Sequence, residues 1–67
     1  MKLEYDHDVD AAYIYLEYPL KKGQVKRTKE LNSNINLDYD NKGKLLGVEV
    51  LHASKMLTRK ALLQGNI

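Results

Sequence analysis

Two clusters of oxygen-bearing side chains are the first candidates for chemistry in this chain of 67 residues. Asp38-Tyr39-Asp40-Asn41-Lys42-Gly43, followed after five residues by Glu49, matches the calcium loop D-x-[DN]-x-[DN]-G-x₅-E except at the fifth position, where Lys42 stands. A lysine offers an ion no oxygen and adds a positive charge beside it, and the flanks read as strands where a calcium loop needs helices. The segment is therefore expected to be a hairpin turn. Asp6, Asp8 and Asp10 surround His7, but in an extended chain the carboxylates fall on one side and the imidazole on the other. Turn formation is the preferred reading there too, and no metal site is assigned.

His7 and His52 are the residues whose ordinary pKa suits acid-base work. Neither sits beside a nucleophile: there is no cysteine, no G-x-S-x-G elbow, no phosphate-binding loop and no H-E-x-x-H pair. A domain this short also has little depth for a pocket of about 300 Å³. The expectation is a protein that is not an enzyme and carries no cofactor. A basic stretch, Lys21, Lys22, Lys26, Arg27 and Lys29, with Tyr13, Tyr15 and Tyr18 nearby in sequence, has the ingredients for tracking phosphates and stacking on bases. No recognised nucleic-acid motif accompanies it, and nine acidic residues oppose it.

The elements that position these residues follow from a period of two in the apolar pattern. Lys2 to Tyr5 alternates. Ala11 to Glu17 places Ala12, Ile14 and Leu16 on one face and Tyr13 and Tyr15 on the other, so both faces are apolar or aromatic. Val25 to Leu31 carries charges on both faces and reads as an edge strand guarded by lysines. Asn34 to Tyr39 and Leu45 to Leu51 are amphipathic, joined by a type I turn over Asp40 to Gly43. Short connections imply antiparallel neighbours. From Ser54 the composition turns to good helix formers, which predicts one helix over about 54–64 with Ser54 as N-cap and Gly65 closing it. Met56, Leu57, Ala61 and Leu63 then share a face, and Leu62 projects away, to the surface or to a second chain.

The expected fold is α+β, a single domain over 1–67: a small antiparallel sheet of four to five strands within 2–51, then one C-terminal helix on the Ile14, Leu37 and Val48 side. A chain of this size buries only about 60% of its unfolded surface, and without cysteine it has no disulfide or thiolate zinc site. Self-association is the remaining support, and Tyr13, Tyr15 and Leu62 are the candidate interface. The net charge of +2 conceals alternating blocks: acidic over 1–18, basic over 19–31, slightly acidic over 32–51 and basic over 52–67. In a sheet, such blocks can lie side by side as cross-strand pairs. The start MKLEYDHDVD lacks the plan of a secretory signal, and no apolar run approaches the roughly 20 residues of a membrane span. A cytoplasmic protein without membrane contact is expected.

Tyr5-Asp6, Asp10-Ala11-Ala12-Tyr13-Ile14, Leu37-Asp38-Tyr39-Asp40, Gly43, Leu45, Gly47-Val48-Glu49-Val50-Leu51 and Ala53-Ser54 together resemble the small prokaryotic family called domain of unknown function 2283. The likeness runs from residue 2 to 57. It implies a β-rich single domain that self-associates and has no assigned activity, so no catalytic residue is carried over. The family tends to have an acid where Lys42 stands, which takes this chain further from a metal-binding turn. By analogy with small families encoded beside a partner, the likeness also admits an antitoxin-like or nucleic-acid-binding regulator acting through residues 21–29. The leading expectation is a non-catalytic, dimerising protein-interaction module, with a homodimer or a small protein as partner.

Overall fold

In the computed structural model, which describes residues 1–65, the period-two segments form five strands: β1 (Lys2–Asp6), β2 (Ala11–Tyr15), β3 (Arg27–Asn32), β4 (Ile35–Tyr39) and β5 (Leu45–Leu51). They make one antiparallel sheet in the order β1-β2-β5-β4-β3. The α+β class is thus as expected, with the last strand in the middle. β3 is an edge and is exposed throughout, where Arg27, Lys29 and Glu30 discourage pairing with another chain. The other edge, β1, is capped at Tyr5, whose N–H donates to the carbonyl of Gly65 at 2.6 Å.

Register turns the alternation of each strand into rows that cross the sheet. One face carries Leu3, Ile14, Val48, Leu37 and Lys29 in one row and Tyr5, Ala12, Val50 and Ile35 in the next. The opposite face carries Glu4, Tyr13, Glu49, Asn36 and Glu30, then Lys2, Tyr15, Gly47, Asp38 and Thr28. A bulge opposite Tyr39 shifts the β4 and β5 register. The expected turn is present: Gly43 has φ 79°, a left-handed conformation that glycine adopts without steric cost. Asp40 Oδ1 accepts from the N–H groups of Lys42 and Lys44, both at 2.9 Å.

The C-terminal segment forms two short helices where one was expected, α1 (Ala53–Met56) and α2 (Arg59–Gln64). Thr58 causes the break, because its Oγ1 accepts from Ala61 N–H at 3.1 Å and so caps a new helix. Ser54 is no N-cap; it lies within α1, and His52 precedes the helix in a left-handed conformation. The restart also changes the helical phase. Leu62, expected to project away, is 9% exposed and belongs to the core with Ala12, Val50 and Ala53. Leu63 is 64% exposed and Met56 40%. Leu62 is thereby corrected from an interface candidate to a core residue.

The helices lie on the expected side. Tyr5, Ile14, Val48 and Leu57 pack against the core cluster, but Leu37 is not among them, since α1 meets β5 and α2 meets β1. Over β4, Ile35 and Leu37 are half-buried without joining that cluster.

Candidate functional site

The opposite face holds a shallow concavity. The chain leaving β2 is held by the Leu16 and Glu17 N–H groups, which donate to the Leu46 carbonyl, and it rejoins the sheet where Lys26 N–H donates to the Tyr39 carbonyl. Between these anchors Tyr18, Pro19, Leu20 and Val25 wall a cleft of about 390 Å³ whose floor is Glu4, Tyr13, Tyr15 and Asp38. A second hollow of about 250 Å³ adjoins it through Glu4 and Tyr13 and adds Asp6 and Glu49. The two form a groove across β1, β2 and β5.

Tyr13 and Tyr15 occupy alternate positions of β2 and therefore share this face. Their rings meet edge to face at 4.7 Å, and Tyr15 meets Tyr18 the same way at 5.0 Å. The Tyr13 hydroxyl donates to Asp38 Oδ2 at 2.6 Å, and the Tyr15 hydroxyl donates to Glu4 Oε1 at 2.7 Å. Asp38 Oδ1 also accepts from the Thr28 hydroxyl at 2.5 Å. Burial, followed by the bond to Asp38, pushes the Tyr13 phenol far above its ordinary value. The bond to Glu4, followed by burial, pushes Tyr15 up to about 12. Both phenols are neutral at physiological pH, and their protons are committed to carboxylates. The groove thus presents ring faces and acceptor oxygens. Lys2 is the cation at its rim: its Nζ lies 4.2 Å from the Tyr18 ring centroid, 3.2 Å from the Tyr18 hydroxyl and 3.9 Å from Glu4 Oε2.

The acidic clusters read from the sequence have structural occupations. Asp38, Asp40 and Glu49 do not converge: Asp38 binds Tyr13 and Thr28, Asp40 braces its own turn, and Glu49 accepts from Asn36 Nδ2 at 2.9 Å. Among the described residues, no three His, Cys, Asp or Glu side chains are grouped to hold a metal ion. In the other cluster Asp10 ties the β1–β2 turn to α1. Its carboxylate accepts from the Tyr5 hydroxyl at 2.7 Å, Ser54 N–H at 2.9 Å and the Ser54 hydroxyl at 2.8 Å, while its carbonyl accepts from Ala53 N–H. These donors hold the Asp10 carboxyl below its ordinary value, with Tyr5 the largest influence. His7 is exposed at the turn beside Asp8. His52 Nδ1 lies 2.9 Å from Asn34 Oδ1, joining the end of β5 to the start of β4. The two histidines do not enter the groove.

The basic stretch is divided. Lys21 and Lys22 are exposed in the loop, Lys26 adjoins β3, and Arg27 stacks on Tyr39 with 5.1 Å to the ring centroid. Lys29 ends the apolar row on the helix-bearing face. Sequence reasoning did not foresee the carboxylates around the tyrosines, which arrive from β1, β4 and β5. The available signal was their outward position in each alternating strand.

Residues 2–54 match the family described as protein of unknown function (DUF2283). The chain is also 34% identical over 56 residues to an uncharacterised protein of Methanocaldococcus jannaschii, a match covering 84% of this chain and 44% of that protein. The chain therefore spans less than half the length of the curated relative it matches. No solved structure matches it. No helix among the described residues is long and apolar enough to cross a membrane.

Proposed function

This chain belongs to the DUF2283 family, and from that starting point we propose that it is a non-catalytic module that pairs with a second copy of itself through the β4 side of its helix-bearing face. The observation that carries this reading is an unbroken apolar row, Ile14, Val48 and Leu37, across the centre of the sheet, in a chain whose buried hydrophobic residues, among those described, are Ala12, Leu46, Val50, Ala53 and Leu62.

The row Ile14, Val48 and Leu37 supplies suitable chemistry. All three are half-buried, they adjoin one another across β2, β5 and β4, and the Leu37 end lies outside the helix-packed cluster. A two-fold axis through this row would set it against its own copy, which is how most homodimers form. The tyrosine face, also a candidate for this role, has its phenol protons engaged by carboxylates, so the apolar row is the better-matched surface.

Sedimentation equilibrium tests the reading. The expected result is a dimer at micromolar concentration that survives raised salt, because apolar contact is insensitive to screening, and a Leu37→Asp variant that is monomeric with an unchanged circular dichroism spectrum. A wild-type chain that stays monomeric at high micromolar concentration overturns it.

A further inference from the structure

The groove on the opposite face has an unusual balance of groups. Three phenol rings line the main cleft, and the Tyr13 and Tyr15 protons are given to Asp38 and Glu4. A carboxylate oxygen accepts more than one hydrogen bond, so both acids retain acceptor capacity toward the opening. Glu49 and Asp6 extend the negative charge along the second hollow. Such a site is rich in acceptors and ring faces and poor in donors, which rejects anions and suits a cation carrying N–H groups.

The chain supplies a precedent. The Lys2 ammonium rests on the Tyr18 ring, near that hydroxyl and Glu4. This is the arrangement in which an aromatic face attracts a cation. The volume of about 390 Å³ falls within the range of small-molecule pockets. Glu4 and Glu49 flank Tyr13 from the two strands that neighbour β2, so their backbones are about 10 Å apart at two strand spacings. With Glu4 engaged by Tyr15 and Glu49 by Asn36, the two carboxylates are held by different partners and suit charges spaced along a flexible chain.

We propose that this groove binds alkylammonium ligands, with the rings of Tyr13, Tyr15 and Tyr18 receiving the methylene chain and Glu4 and Asp38 receiving the ammonium, and that a linear polyamine fills it. The same chemistry is available from a lysine side chain of a protein, which would occupy the main cleft alone. This assignment is independent of the pairing of two copies, which uses the other face.

The test is calorimetric titration of the full chain at about 20 mM salt, where screening is weak, with spermidine in one arm and Nα-acetyl-lysine amide in the other. Saturable binding of spermidine is expected. Tyr18→Leu, which keeps an apolar side chain at a half-exposed site, should weaken it about threefold to tenfold through the lost ring face. Glu4→Gln, which still accepts from Tyr15, should do likewise. Glu30→Gln removes the same charge from the exposed edge strand, farther along the same face, and should weaken binding less than Glu4→Gln does. Lys2→Met removes the competing ammonium and should tighten it. If the lysine amide binds as well as spermidine, the site stands and its natural ligand is a lysine side chain. Absence of saturation by about 10 mM in both arms, or equal weakening by Glu4→Gln and Glu30→Gln, overturns the assignment.

Discussion

Tyr13 reaches across β5 to Asp38, its hydroxyl donating to Oδ2 at 2.6 Å, and it does so over Gly47, which lies between them in the sheet. The bond joins two strands that are not neighbours. It is possible because Gly47 has no side chain: a Cβ there would lie 2.5 Å from Tyr13 Cε2 and 2.6 Å from Cζ. Gly47→Ala is therefore predicted to displace the ring and destabilise the fold by about 1–3 kcal/mol, read as a lower urea midpoint. Tyr13→Phe, which keeps the packing and loses the bond, should cost about 1 kcal/mol. An alanine variant as stable as the wild type would contradict the close approach.

Alkaline titration should separate the groove tyrosines from ordinary phenols. Tyr15 has an ordinary value of 10.0 raised to about 12 in the fold, and Tyr13 is shifted in the same direction. A folded value above the unfolded one means that the stabilisation is complete below pH 10 and disappears as pH climbs from there through the folded value. Phenolate absorbance should show a late phase near pH 12, and the urea midpoint should fall over the same window. Tyr15→Phe should remove part of both effects.

The acid limb should be governed by Asp10. Its ordinary value of 3.8 is lowered in the fold, so its contribution is present above pH 3.8 and is lost as pH falls through the depressed folded value. Asp40, lowered by its bonds to the Lys44 and Lys42 N–H groups, adds in the same direction. Asp10→Asn should flatten the fall in denaturation midpoint below about pH 4. Amide exchange in the variant should quicken first at Ala53 and Ser54, whose N–H groups it holds.

Adjacent leucines in α2 should behave oppositely. Leu62→Ala opens a cavity in the core and is predicted to cost about 2–4 kcal/mol. Leu63→Ala removes an exposed side chain and should stay within about 0.5 kcal/mol of wild type. A larger loss at Leu63 than at Leu62 would instead favour a single continuous helix with the opposite phase.

The strands, the Asp40 to Gly43 turn and the exposed β3 edge were legible because each is a local property of the sequence: alternation, turn chemistry, charge. The order β1-β2-β5-β4-β3 was not, since no local pattern says that β5 enters between β2 and β4. The helix break was missed because Thr58 as an N-cap competes with its modest helix propensity, and that competition is settled by docking. Leu62 was misplaced with it. For the groove, the tyrosines of β2 were visible as a two-sided strand. Their acidic partners depend on register, which pairs Glu4 with Tyr13 and sets Asp38 beside Gly47.

The central place of β5 also sets an order of assembly. β3, β4 and β5 follow one another along the chain and can zip together through nearby contacts, as can β1 with β2. Joining these two parts requires Tyr13 to meet Glu49, more than half the chain away, and contacts so distant in sequence slow a folding reaction. The step expected to be slow is then the docking of the β1–β2 hairpin onto the flank of the β3–β5 meander. Until it occurs, β5 offers an unpaired edge to any neighbouring molecule, and the protein is most open to misassembly at that stage.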